Sequence, residues 1–126
     1  MLATKHLADA IVKLLDPVSA ANTAAATSSY VDVRQYEADL EFIIATGAVT
    51  GSIAWDIQDA TDSGGTGSAS IASSLNEGAT FVNTANQVQK KTIKRHSTRG
   101  FVRVVGTIVT GPVLVQAALQ ALPKNV

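Results

Sequence analysis

The chain has 126 residues, 46% of them hydrophobic, with ten Lys+Arg, ten Asp+Glu, two His, one Trp and no Cys. That length predicts one domain with a sizeable core, the apolar fraction excludes wholesale disorder, and the lack of cysteine excludes disulfides, thiolate zinc sites and a thiol nucleophile. The net charge of zero conceals a split. Residues 1–77 hold all ten acids and three bases (Lys5, Lys13, Arg34), a balance of −7, whereas residues 78–126 hold seven bases and no acid, a balance of +7.

The N-terminus does not read as a secretory signal, because Asp9 and Lys13 interrupt any apolar core. Over residues 4–15, Leu7, Ile11, Leu14 and Leu15 fall at i, i+4, i+7 and i+8, a helical stripe that Asp16-Pro17 would end. This predicts a short N-terminal helix, with an extended arm carrying a strand at 10–15 as the alternative. Residues 19–29 are small and polar and read as a linker. The expected organisation is therefore an arm and linker over 1–29 followed by a β domain over 30–126.

From Tyr30 the period changes to two. Leu40, Phe42 and Ile44 alternate with Asp39, Glu41 and Ile43, and Ile53, Trp55 and Ile57 alternate with Ala54, Asp56 and Gln58. The short Gly47–Gly51 connection between them predicts a hairpin. Residues 59–70, rich in Gly and Ser, read as a flexible loop. A weaker strand is expected near 79–82 and another over 87–95, then a turn at 96–100 and an apolar strand over 101–109. Val104–Leu122 is free of charge for nineteen residues, long enough to span a bilayer as a helix. Gly106, Gly111-Pro112, Gln116 and Gln120 interrupt it, and two strands joined by a turn account for it better. Six or seven strands of this kind predict an all-β fold, mainly an antiparallel β-sandwich or barrel.

No catalytic constellation assembles from the sequence. His6 and His96 lie far apart in the chain, Ser97 follows His96 directly, and no glycine-framed nucleophile elbow is present. Asp56, Asp59 and Asp62 with Gly64 have oxygen-ligand character, yet residues 65–76 contain no acid to close a calcium loop. The same carboxylates lack the defined pairing a glycosidase needs. The strongest local feature is the run from Lys90 to Arg103, with six bases in fourteen residues: Lys90, Lys91, Lys94, Arg95, Arg99 and Arg103. Such a run can track a phosphate backbone, but Phe101 is its only aromatic and the chain as a whole is neutral, so nucleic acid is disfavoured. Complementarity between protein surfaces explains it better.

The order of residues resembles small β-rich structural proteins of the tailed-bacteriophage and prophage head region, of the capsid decoration or cement type. The resemblance runs through Asp16-Pro17-Val18, Val31-Asp-Val-Arg-Gln-Tyr36-Glu37, the strand Leu40-Glu-Phe-Ile-Ile44, Ile57-Gln-Asp-Ala-Thr-Asp62-Ser-Gly64, Arg99-Gly-Phe-Val-Arg-Val-Val105 and Ala121-Leu-Pro-Lys124. It implies a virion protein on the capsid surface, made in the bacterial host cytoplasm, without catalysis or cofactor. Its partners would be the major capsid protein and further copies of itself, as a homo-oligomer, with no metal and no membrane. The contact surface expected from the charge split comprises Lys90, Lys91, Lys94, Arg95 and Arg99. The N-terminal arm would dock through Leu7, Ile11 and Leu14. Two alternatives stand beside this reading: a ring-forming neck, tail-completion or minor tail protein, and a carbohydrate-binding module using Trp55, Tyr30 and Tyr36 as an aromatic platform.

Overall fold

The computed structural model describes residues 10–22, 24–71, 76–77 and 86–124. They form strands β1 (Ala10–Ala20), β2 (Val31–Asp32), β3 (Tyr36–Val49), β4 (Ile53–Ala60), β5 (Ala69–Ser70), β6 (Asn76–Glu77), β7 (Gln87–Lys94), β8 (Phe101–Ile108) and β9 (Val113–Pro123), with a 3-10 turn at Arg95–Ser97. Two antiparallel sheets result, a five-stranded one ordered β1-β9-β3-β7-β6 and a four-stranded one ordered β2-β8-β4-β5. The fold is thus the all-β, sandwich-like arrangement that the alternating pattern implies. The strand expected near 79–82 lies outside the described residues.

Period-two alternation sorts the two faces. Leu40, Phe42 and Ile44 on β3, Val113, Val115, Ala117 and Leu119 on β9, and Ile93 on β7 are buried from one sheet; Ile53, Trp55 and Ile57 on β4 with Val102 and Val104 on β8 are buried from the other. These residues belong to one apolar cluster between the sheets. Complete burial of a side chain such as Phe42 contributes about 1.5–3 kcal/mol relative to exposure.

Three expectations change. First, Ala10–Ala20 is a strand, not a helix: it pairs antiparallel with β9 from Ala10 opposite Ala121 to Ala20 opposite Val113. Register slips between Lys13 and Leu15 and again between Leu15 and Val18. Each inserts one residue, so Leu14 and Leu15 are both buried and the strand period is lost from the sequence. Pro17 is accommodated because β1 is an edge strand, with one side free of ladder hydrogen bonds.

Second, β3 and β4 are not a hairpin. They belong to different sheets, and so do β8 and β9, which makes both short connections arches between layers. The arches lie against each other: the Thr50 N–H donates to Pro112 O, the Gly51 N–H to Thr110 O, and the Val109 N–H to Ser52 O, at 3.3, 3.1 and 3.0 Å. Gly51 is required by this close approach, since a Cβ there would sit 2.3 Å from Thr110 Cβ. The uncharged Val104–Leu122 stretch is accordingly the end of β8, an arch and most of β9. Among the described residues no helix is long and apolar enough to cross a membrane.

Third, the segment read as a linker lines the edge of β8. Ala26 is fully buried, its carbonyl accepts from the Gly106 N–H at 2.9 Å, and the Ser28 N–H donates to Val104 O at 3.0 Å. The Ser28 hydroxyl oxygen in turn accepts from the Val104 N–H at 3.0 Å. Small side chains are needed here for packing rather than for slack.

The register makes an inside–outside contrast measurable. Phe42→Ala is expected to destabilise the protein by about 3–5 kcal/mol through lost burial and a cavity. Val88→Ala, on the outer face of β7, should stay within about 0.5 kcal/mol. Urea unfolding of both variants checks this, and comparable losses would contradict the assigned faces.

Candidate interaction surface

The five bases expected to share one surface are divided by strand parity. Lys94 lies opposite Asp39, Lys91 opposite Phe42, and Lys90 opposite Ile43. Phe42 faces the core, so Lys91 takes the inner side of β7, where it is half-buried, while Lys90 and Lys94 point outward. Lys90 Nζ is 3.6 Å from Glu41 Oε1. Arg95 and Arg99 follow the end of β7, in and after the 3-10 turn. Of the expected arm residues, Ile11 is 74% exposed and Leu14 is buried; Leu7, like His6, lies outside the described residues.

Arg99 is engaged within the fold. Its Nη2 lies 2.7 Å from Asp59 Oδ1 and its Nε 3.1 Å from the same oxygen. The Arg99 backbone N–H donates to Asp59 Oδ2 at 3.0 Å and Nη2 also donates to the Asp59 carbonyl at 2.8 Å. Alternation along β4 carries Asp59 to the core side after Ile57, and it is only 6% exposed. Burial of that carboxylate is tolerated because these donors satisfy it. Asp59 in turn raises the pKa of Arg99, chiefly by hydrogen bonding.

The Gly/Ser-rich loop after β4 is tied down rather than slack. Asp62 Oδ1 accepts from the backbone N–H groups of Gly64 and Thr66 at 2.9 and 3.1 Å, and the Thr61 N–H donates to Thr66 O at 3.1 Å. Hydrogen bonds from Thr66, first its side chain and then its backbone, lower the Asp62 pKa, with Gly64 and Gly65 adding to it. Gly65, at φ +88, lies under the Tyr30 ring, which a Cβ there would meet at 2.9 Å. Tyr30 bonds Ser68 through its hydroxyl, and Arg103 stacks over its ring at 4.7 Å while donating to Gln58 Oε1 at 2.8 Å. Asp56, Asp59 and Asp62 therefore serve separate local networks, and no group of three acids or histidines converges among the described residues. The aromatic platform does not form either: Trp55 and Tyr36 are buried in the core cluster.

What the bases do not provide, the outer face of the five-stranded sheet does. One row across it reads Lys13, Ala118, Ile43, Lys90 and the next Ile11, Gln120, Glu41, Thr92. Farther along, Ala45 stands between Gln116 and Val88, and Leu114 lies across Gly47. On the two central strands the small and apolar residues Leu114, Ala118, Ile43, Ala45 and Gly47 thus share the outer face with Gln116, Gln120 and Glu41. Ile11 and Val88, 74% and 76% exposed, extend the strip sideways. Ion pairs lie at its sides, Lys13 with Asp16 at 2.7 Å within β1 and Lys90 of β7 with Glu41 of β3. A groove of about 340 Å³ opens at one end, lined by Pro17, Val18, Ala45, Gly47, Leu114 and Gln116 among others. The sequence signal for this face was Ile43 and Ala118, apolar residues on the polar parity of their strands.

No family model matches the chain, and no curated protein matches it. Among solved structures it is similar to one titled crystal structure of infectious bursal disease virus VP2 subviral particle, with a TM-score of 0.46 and 9% identity over 91% of this chain and 32% of that one. The chain spans about a third of that protein's length, and the likeness is one of coarse β architecture.

At the end of the sandwich near β2, Asp32 accepts from Arg34 Nε and Nη2 at 3.0 and 2.9 Å and from the Arg34 backbone N–H at 2.9 Å. The Arg34 side chain first, and its backbone N–H second, hold the Asp32 carboxyl down at about 2 against an ordinary 3.8. A carboxylate whose pKa is depressed on folding stabilises the fold above its unfolded value, and that contribution disappears as pH falls through the folded one. The urea midpoint should therefore drop between pH 3.8 and about 2, and Asp32→Asn should flatten part of that drop. For the pair of buried Asp59 with exposed Arg99, Asp59→Asn and Arg99→Gln should each lower the midpoint, and the double variant should lose less than the sum of the two. Strict additivity would show that the pair is not coupled.

Proposed function

We propose that the chain is a non-catalytic structural protein of a virion that binds the lattice of a major capsid protein and stabilises the head, as decoration or cement proteins do. The observation that carries this reading is the outer face of the five-stranded sheet, where small and apolar residues alternate with glutamines along β9 and ion pairs lie at the sides. An interface need be no more apolar than the rest of a protein surface; what sets its centre apart is a scarcity of charge, with charged groups at the rim.

Size points to the mode of binding. From Leu114 to Gln120 the strip is about 20 Å long, and four strands make it about 19 Å wide, on the order of 400 Å². A stable pairwise complex buries about 800 Å² on each partner. One such face gives a weak contact, and a weak contact suits a partner presented many times over, where linked copies gain avidity. A capsid lattice is such a partner. The sequence resemblance to head-region proteins supports the same reading.

Co-sedimentation of the purified protein with matching capsids tests the proposal. Binding is expected at low salt and should persist at moderate salt, because apolar contact is not screened. Ala45→Glu and Leu114→Asp, both on the outer face, should each reduce bound protein at least roughly tenfold, equivalent to about 1.4 kcal/mol, while leaving the urea midpoint near wild type. No co-sedimentation at low salt, or undiminished binding by both variants, would overturn it. Occupancy confined to a small ring at one vertex would place the protein at the neck or tail instead.

A further inference from the structure

A second feature gathers cations at one end of the sandwich, away from the apolar strip. Between Glu37 and Glu41, β3 uses four steps where β9 uses two, from Leu122 to Gln120. Ala38 sits in that interruption at φ +60, a left-handed conformation unusual for a residue with a Cβ. Strain of this kind persists where the surroundings impose it, and it concentrates at binding sites. Beside it lies a cavity of about 220 Å³ lined by Tyr36, Glu37, Ala38, Arg95, His96 and Lys124.

Arg95, His96 and Lys124 bring two cations and an imidazole to a lining whose exposed surface is otherwise mostly apolar. Arg95 Nε donates to Val33 O at 2.9 Å, which fixes the guanidinium plane and leaves the edge formed by its two Nη nitrogens. The Lys124 backbone N–H donates to Gln35 O at 3.0 Å, anchoring that residue at the cavity. Among the described residues neither side chain forms an ion pair. Asp32, whose carboxylate feels the Arg95 charge, is taken up by the fork of Arg34. Glu37 lies on the lining and is engaged in an interaction of its own. Among the described residues, two permanent cations and an exposed imidazole therefore outnumber one carboxylate around a single cavity.

We propose that this cavity is an oxyanion site, taking a carboxylate or phosphate group between Arg95 and Lys124 with His96 as a further donor. The free Nη edge of Arg95 matches two oxygens of such a group, and Lys124 supplies a point charge that does not demand one geometry. The site would receive either an acidic side chain of a partner polypeptide or a free phosphate. It does not rest on the capsid reading, since it uses no residue of the apolar strip.

Titration of the full chain with inorganic phosphate, and separately with a short glutamate-rich peptide, tests it by amide NMR at constant ionic strength, because screening alone shifts exposed signals. The expected result is saturable shifts centred on residues 36–38, 95–96 and 124, with dissociation constants in the millimolar range for phosphate. Lys124→Gln should weaken binding roughly tenfold with the remaining spectrum unchanged, and Arg95→Gln should do so more strongly. Lys124→Gln carries the test if loss of the Val33 hydrogen bond unfolds the Arg95 variant. Tighter binding of the peptide identifies a protein source for the oxyanion, and tighter binding of phosphate a small anion; either supports the site. Unsaturable shifts spread over all basic residues, or full affinity in Lys124→Gln, would overturn it.

Discussion

The pairing of β3 along both of its edges, with β9 on one side and β7 on the other, is the constraint from which the rest of the molecule follows. Its inner face supplies Leu40, Phe42 and Ile44, all fully buried. Its outer face supplies Glu41, Ile43 and Ala45 to the apolar strip and its rim. Among the described residues β1 joins the sheet only through β9, and β6 only through β7, so both flanks depend on the strand between them. The same pairing sets Asp39 opposite Lys94 and brings Lys90 to Glu41. Acidic and basic halves of the chain meet there, side by side in one sheet.

Alternation made β3, β4 and β9 readable because each turns one face to the core with few interruptions, whereas β8 was readable from its β-branched, apolar residues on both faces. β1 was not readable in that way, since two bulges place Leu14 and Leu15 inside together and imitate a helical stripe. The arches failed for a different reason. A connection of three to five residues serves equally for a hairpin and for a step between sheets, and the decision lies in long-range register such as Phe42 opposite Leu119. Ala26 and Ser28 illustrate the limit again: a run of small polar residues looks the same whether it is solvated or laid along the edge of β8.

The interaction surface was legible only in part. The charge run from Lys90 to Arg103 drew attention by composition, yet folding gives its members separate tasks. Lys91 turns inward, Arg99 secures buried Asp59, and Arg103 holds Gln58 and the Tyr30 ring. The apolar strip left a fainter trace, since Gln116 and Gln120 share its parity on β9 and make that face look solvated. The cation-lined cavity could not be read at all before folding. It joins residues 36–38, 95–96 and 124, three stretches with no spacing rule between them, and its opening comes from a break in strand register that no local motif announces.

Neutrality takes on a physical meaning once these contacts are in place. The opposed balances of the two halves are brought together in part within one molecule, through Asp59 with Arg99 and Glu41 with Lys90, and the chain as a whole carries no net charge to project over a distance. A strongly charged protein would gain speed in finding an oppositely charged partner, but copies of it would repel one another when crowded. A neutral one gives up that steering and can be packed densely. Its recognition then has to come from short-range features, an apolar strip that must be in contact to contribute and a small cationic cavity that acts within a few ångströms. If the protein occupies many neighbouring places, as proposed above, the absence of long-range repulsion between copies is the more useful property.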